Sequence, residues 1–420
     1  MTAIPRQPTP PTSLAIMDDT SRPQTTITRW LLDTRTLWPG DKITDTSASP
    51  YLSLISEAER QTILRKYHIA DAKMSLASAL LKRAYINQCT GLTWDKINFE
   101  RRGDSVHGKP MWKAPNSAMP DSPWPKVDFN VSHQAGLVTL VGACSSAMSG
   151  PSSSTWCDGG AGAQNEEGGY EEKVLVGCDI VAPNERQNLE SVRSSNLDEW
   201  TSVFADVFSH EELWDITYTL PSHSLTLLNG ESVSSTQLGR ADRHIVCDQT
   251  VAVVMADGRV EKFTSDLIID AKLRRFYTFF ALKEAYIKLV GEGLLANWIK
   301  RCEFRNVKAP SQGTVARCST HGVWGGKVHG GRMFSLIVQG TDTNKHHDAQ
   351  YNEEQLEIWL NGEEVIDVRT EVQAFEEDFI IATMVRPNTV LGPDDEFPQW
   401  HRIDLEQDIL KRAKSPGGVG

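Results

Sequence analysis

Between Cys144 and Lys173 the chain abandons apolar patterning. Ser146-Ala-Met-Ser-Gly-Pro-Ser-Ser-Ser154 leads into Gly159-Gly-Ala-Gly162 and then a Glu/Gly run. Such a segment cannot bury enough apolar surface to offset the entropy of ordering, so 146–172 reads as a flexible linker or insertion. Strand and helix patterns resume on both sides of it. The fold must therefore be built from two separately patterned halves, 27–145 and 173–385.

Ahead of the first half, residues 1–26 are dominated by Pro, Thr, Ser and Gln and read as a disordered arm. Ile27 to Asp33 reads as the first strand. Ser56, with Glu59 three residues on, forms a capping-box pattern that opens a helix. A second helix is expected from Ala70 to Gln88, where Met74, Ala77, Leu80, Leu81 and Ala84 recur at helical spacing. Phe129 to Gly142 reads as two strands around a turn at Gln134-Ala-Gly136. In the second half, Val174 to Val181 is a sharply apolar strand, and Leu197 to Leu213 reads as helical. Residues 219–260 are mixed and read as an insertion, with a strand at Thr250 to Met255. The longest helical pattern runs from Leu267 to Val290, with Ser265 or Asp266 to cap it and Gly291 and Gly293 to end it. Strand-like pieces follow at 333–338 and 379–385, and the tail 386–420 is polar and expected to pack loosely. No regular βαβ alternation is present. The expected class is α+β, with two similar lobes, each an antiparallel sheet with a long helix.

Composition narrows the function. The 420 residues carry a formal charge of −12 and no Lys/Arg block, which argues against a nucleic-acid binder. The seven cysteines are scattered and never form a Cys-x-x-Cys pair, as expected for reduced thiols. No apolar run is long enough to span a membrane, and no segment reads as a signal peptide or lipidation motif. The expected compartment is the cytosol. There is no P-loop and no Gly-x-Gly-x-x-Gly after a strand.

Four features could carry chemistry. Asp179 interrupts an apolar strand; a buried carboxylate needs a cation or strong donors. It reads either as a strand-end residue bonded to a loop or as a metal ligand at a sheet rim. Glu284 and Lys288 stand one turn apart on the long helix. They read either as a surface ion pair or, on a helix buried around much of its circumference, as groups facing a cleft. Asn130-Val-Ser-His133 sets a hydroxyl and an imidazole side by side before a turn. Neighbours in a strand point to opposite faces, so a nucleophile–base pair is disfavoured against anion binding or a plain polar turn. Gly108-Lys-Pro110 offers a lysine on a turn. Together these make a set suited to a metal-bound diphosphate.

These residues resemble the motifs of the Sfp-type 4′-phosphopantetheinyl transferases. Gly177-Cys-Asp-Ile-Val181 is similar to that family's Gly-x-Asp-x-Glu. Phe280 to Lys288 is similar to its Trp/Phe-x-x-Lys-Glu-Ala-x-x-Lys, with Lys283, Glu284 and Lys288 in register. Asn130-Val-Ser-His133 and Gly108-Lys-Pro110 also match. So do the early helical region, with Arg65, Tyr67 and Asp71, and Phe208-Ser-His-Glu-Glu212. The motifs keep the family's order from about 27 to 300, and the sequence looks most like the broad-range enzymes of filamentous fungi.

The resemblance implies a monomer built as a pseudo-dimer with coenzyme A between its lobes. It implies transfer of the phosphopantetheine arm to a serine of apo carrier proteins or carrier domains, with release of 3′,5′-ADP. Polyketide, nonribosomal peptide, fatty acid and lysine-pathway synthases are the implied partners. Ser75, Lys109, Ser132 and His133 are expected to bind the nucleotide end, with Lys283 also among the coenzyme A contacts. Asp179 and Glu284 are expected to hold Mg²⁺, Lys288 to touch the transferred phosphate, and Glu284 to act as base, with Glu212 a second candidate for base or outer-shell partner. Val181 departs from the pattern, since many relatives carry a second strand carboxylate there. The competing expectation is a non-catalytic coenzyme A-binding regulator or carrier-protein scaffold.

Overall fold

The computed structural model describes residues 25–102, 108–115, 124–145, 173–183, 185, 188–220, 224–239, 244–292, 296–312, 317–321, 355–393 and 395–414. The arm up to residue 24, the linker 146–172 and the strand expected at 333–338 lie outside them.

In chain order the first half contains β1 (Thr25–Asp33), α1 (Ser49–Leu52), α2 (Glu57–Leu64), α3 (Ile69–Thr90), β2 (Asn98–Arg101), β3 (Pro110–Lys113), β4 (Lys126–Gln134) and β5 (Leu137–Ser145). The first strand starts at Thr25, two residues ahead of the expected Ile27, because it pairs with β5 as far as Ser145. Ser56 caps α2 as expected: its Oγ accepts from Glu59 N, and Glu59 reaches back to Ser56 N. The β4–β5 turn holds Ala135 and Gly136 at φ 48° and 85°, the positive angles that tight hairpins need.

The second half contains β6 (Leu175–Val181), α4 (Asn188–Arg193), α5 (Leu197–Ser202), α6 (His210–Tyr218), β7 (Leu225–Thr226), β8 (Ser232–Val233), α7 (Ser235–Leu238), β9 (Thr250–Val254), β10 (Val260–Thr264) and α8 (Asp266–Val290). Beyond α8 come β11 (Cys302–Arg305), β12 (Arg317–Ser319), β13 (Glu357–Leu360), β14 (Glu363–Glu364), β15 (Arg369–Phe375), β16 (Phe379–Arg386), β17 (His401–Arg402) and α9 (Lys411–Lys414). The single helix expected over 197–213 is two. Ser209 caps a new start at α6, forming a second capping box with Glu212. The insertion folds as hairpins, β7–β8 and β9–β10, over a small core of Leu225, Val233, Val251, Val253 and Ile268. Ser265 does not cap α8 with its side chain. Its Oγ donates to the Val246 carbonyl at 2.6 Å and accepts from Gln249 N at 3.1 Å, anchoring that insertion instead. Gly291 ends α8 in the left-handed conformation, as expected.

Two four-stranded sheets organise the molecule, in the orders β17-β1-β5-β4 and β12-β15-β16-β6. Their pairings are antiparallel except for β17, which lies parallel to β1. The class is α+β. Helix α3 packs on β4 and β5, and α8 packs on β6 and β16. Each approach relies on a strand glycine. A Cβ at Gly142 would overlap the Tyr85 ring of α3, and one at Gly177 would overlap the Ala285 carbonyl of α8. Helix α8 buries residues around most of its circumference, including Lys272, Arg274, Arg275 and Lys283.

The tail corrects the expectation of loose packing. Strand β17 extends the first sheet, and Ile403 and fully buried Ile409 join the core of α3. Arg402 and Arg35 both reach Glu376, at 2.8 and 2.9 Å, so the tail straps one half to the other. Ile403, Leu405 and Ile409 dock on the α3 core, and Phe397 and Trp400 pack against further clusters, in a segment that reads as polar on average.

Candidate active site

Strands β4 and β6 are edge strands of their sheets, and an edge leaves backbone donors without ladder partners. Here side chains meet that need. Asp128 Oδ2 accepts from Val176 N at 2.9 Å, Asn130 Oδ1 from Cys178 N at 3.0 Å, and Ser132 Oγ from Ile180 N at 3.3 Å. Alternate residues of a strand share a face, so Asp-x-Asn-x-Ser presents three acceptors in a row. This seam joins the two sheets and sets the register of β6 against β4. Asp179 lies within it and Glu284 and Lys288 lie above it.

The cleft over the seam has a volume of about 290 Å³. It is lined by Ser132, His133 and Gln134 of β4, by Asp179, Ile180 and Val181 of β6, and by Phe280, Glu284 and Lys288 of α8. The helix residues are spaced one turn apart and form a stripe down one face. The surface ion-pair reading of Glu284 and Lys288 therefore gives way to the cleft reading. Lys288 Nζ donates to Asp179 Oδ1 at 2.6 Å and to Ser132 Oγ at 3.0 Å. Ser132 Oγ donates to the same Asp179 oxygen at 2.7 Å.

The electrostatics follow from this crowding. Burial, then the neighbouring Asp179 charge, pushes the Glu284 carboxyl up to about 7, with Lys288 only partly opposing. Burial works against the Lys288 charge, but Asp179 and Glu284 outweigh it and hold the ammonium above its ordinary value. His133 is exposed at the mouth of the cleft. Its enclosure by the cleft walls, then the charges of Lys288 and Lys66, push the imidazole below its ordinary range. Ser75 is half-buried on α3, one turn after Asp71, whose charge reaches His133. It lies outside the cleft lining.

Two lysines expected to contact coenzyme A have partners within the protein. Lys109 is 5% exposed. Its ammonium donates to Asp128 Oδ2 at 2.5 Å and to the Val176 carbonyl at 2.7 Å, deep in the seam. Lys283, on α8 itself, donates to the carbonyls of Ile299 and Cys302 and lies 2.8 Å from Glu212. Glu212 also accepts from Ser209 N and Phe304 N, both at 2.9 Å. Its carboxylate joins α6, α8 and β11 and has no open side from which to act as a base.

Val181 is 3% exposed; it borders the cleft and belongs to the core with Phe276 and Ala281. The seam role of Asp128 escapes a motif-by-motif reading, although the alternation of Asp128, Asn130 and Ser132 was its signal.

Comparison with known proteins agrees with this chemistry. The N-terminal domain of 4′-phosphopantetheinyl transferases matches residues 44–145. A 4′-phosphopantetheinyl transferase of Aureobasidium melanogenum is 43% identical over 387 residues, covering 92% of this chain and 97% of that one. 4′-Phosphopantetheinyl transferase A of Aspergillus fumigatus is 30% identical over 409 residues, covering 92% and 94%. 4′-Phosphopantetheinyl transferase NpgA of Emericella nidulans is 29% identical over 417 residues, covering 94% and 96%. With a cleft of this chemistry and likeness along nearly its whole length, the chain belongs to the Sfp-type 4′-phosphopantetheinyl transferases of fungi.

Proposed function

We propose that this enzyme moves the phosphopantetheine arm of coenzyme A, its substrate, to a serine hydroxyl of apo carrier proteins and releases 3′,5′-ADP. The observation that carries the reading is the convergence of Asp179, Glu284 and Lys288 in one cleft. Transfer from a diphosphate requires neutralised oxygens and a deprotonated nucleophile. The three side chains offer groups for both.

The carboxylates suit Mg²⁺. The Glu284 carboxyl is pushed up first by burial and then by the Asp179 charge, so a cation between the two carboxylates would favour their charged forms. Among the described residues no group of three His, Cys, Asp or Glu could hold a metal. A pair is enough for Mg²⁺, which is commonly held by one or two carboxylates plus substrate phosphates and water. Val181 offers no further ligand. When bound, the metal neutralises the diphosphate oxygens.

The chain's own residues do the rest. Lys288 donates to an oxygen of the transferred phosphate. Glu284 accepts the proton of the attacking serine. The new bond joins the serine oxygen to the β-phosphorus, and the bond to the 3′,5′-ADP oxygen breaks. His133 and Ser75 serve the nucleotide end. A regulator that only bound coenzyme A would have no use for paired carboxylates. We read the two sheets, each with a long helix seated on a strand glycine, as the halves of a pseudo-dimer in a monomeric chain. The matching roles of Gly142 and Gly177 support this.

Incubating an apo carrier domain with the protein, coenzyme A and Mg²⁺, and then measuring its intact mass, tests the reading. A gain equal to the phosphopantetheine arm is expected. An unchanged carrier mass at any metal concentration rejects it.

A further inference from the structure

We infer that Ser132 is a positioning residue, which sets the Asp179 carboxylate and the Lys288 ammonium relative to each other, and is not a ligand of the nucleotide. This rests on the roles proposed above for Asp179 and Lys288.

A serine hydroxyl has one hydrogen to give and two lone pairs to offer. All three are in use. The hydrogen goes to Asp179 Oδ1 at 2.7 Å. The lone pairs receive Lys288 Nζ at 3.0 Å and Ile180 N at 3.3 Å. The residue is 5% exposed. A phosphate oxygen is an acceptor and needs a donated hydrogen, but Ser132 has no second one. Giving it to a ligand would leave Asp179 Oδ1 held by Lys288 alone.

The geometry also explains what the hydroxyl achieves. Asp179 and Ile180 are consecutive, and Ser132 grips the amide of one and the side chain of the other. That fixes both the height of the strand and the direction of the carboxylate. The same oxygen then receives Lys288 from α8, so one atom ties β4, β6 and α8 together at the reacting end of the cleft. Asp128 and Asn130 hold Ser132 in register from further along the seam. His133, the next residue, is exposed at the mouth of the cleft, so it remains available to an anion.

The test uses Ser132→Ala, Ser132→Thr and Asp179→Asn in the full chain. Two affinities are measured directly: Mn²⁺ in the presence of coenzyme A, by electron paramagnetic resonance, and 3′,5′-ADP in EDTA, by calorimetry. Losing a group that orients a metal carboxylate should weaken Mn²⁺ by about tenfold or more. Ser132→Ala is therefore expected to lose Mn²⁺ affinity and keep 3′,5′-ADP affinity, with Ser132→Thr restoring the metal. Weakened 3′,5′-ADP binding in Ser132→Ala overturns the proposal. Unchanged Mn²⁺ affinity in Ser132→Ala, alongside a loss in Asp179→Asn, overturns the positioning role alone. Unchanged Mn²⁺ affinity in Asp179→Asn overturns the metal reading and this one with it. If Ser132→Ala does not fold, Ser132→Cys, similar in shape and a weak donor, is judged by the same outcomes.

Discussion

Lys283 Nζ lies 2.8 Å from Glu212 Oε2, with 1% and 2% of the two side chains exposed. Breaking such a pair from one side leaves a buried charge without compensation, at about 3–5 kcal/mol. Lys283→Met should therefore lower the melting temperature sharply. Removing the stranded charge with Glu212→Gln in the same chain should recover part of the loss, because a neutral amide needs no counter-charge and its one oxygen can still accept from either the Phe304 or the Ser209 amide. Thermal melts of the single and double variants decide this. A stable Lys283→Met protein with a raised coenzyme A requirement would return Lys283 to the ligand set.

Lys109 is argued the same way. Its ammonium bridges Asp128 and the Val176 carbonyl, and Arg102 lies 3.1 Å from the same carboxylate. Burial pushes the Lys109 charge toward neutrality, and Asp128 resists it. Lys109→Met should loosen the seam, so the amide protons of Val176 and Cys178 should exchange faster with solvent. A raised coenzyme A requirement with unchanged exchange would mean that the ammonium leaves the seam for the ligand.

The contrast between these lysines and Lys288 shows what the sequence made legible. Helical spacing was enough to put Glu284 and Lys288 on one face, and alternation was enough to give Asp179 and Val181 one side of a strand. Both readings depend on local geometry. The fate of Lys109 and Lys283 depends on Asp128 and Glu212, which are 19 and 71 residues away in sequence. No local period encodes such partners. The tail was misjudged for a related reason: its average polarity hid Ile403 and Ile409, which only the distant α3 core makes meaningful. The break between α5 and α6 was legible in principle, since Ser209 and Glu212 spell a helix start within the run.

Glu284 gives the metal-free protein a pH signature. Its folded carboxyl is pushed up to about 7, by burial and then Asp179, from an ordinary 4.5. A raised carboxyl favours the folded state while protonated, so this contribution is complete below the unfolded value. It is lost as pH climbs from the unfolded value through the folded one. Across that window the loss is on the order of 3 kcal/mol. Melts in EDTA should thus fall as pH rises from about 4.5 to 7, and Glu284→Gln should flatten that segment. Glu284→Gln should also abolish transfer, as loss of the proposed base. A wild-type pH slope in the variant would place the titration elsewhere.

Val181 offers the sharpest trial of the cleft wall. Its side chain is 3% exposed, touches the Phe276 core, and still borders the space in front of Asp179 and Glu284. A glutamate there is longer than valine and can turn its carboxylate only toward that space, since the opposite side is packed with aromatic and aliphatic groups. Without metal it would be a third carboxylate beside two that already crowd each other. The cost of an uncompensated buried charge is several kcal/mol. Val181→Glu is therefore expected to melt well below wild type in EDTA. Mg²⁺ can be held by clustered carboxylates, so added metal should recover much of the deficit in the variant while moving wild type little. Paired melts with and without Mg²⁺ read this directly. A deficit that Mg²⁺ does not touch would mean that position 181 faces only the core, and that the cleft wall is drawn one residue too far along β6.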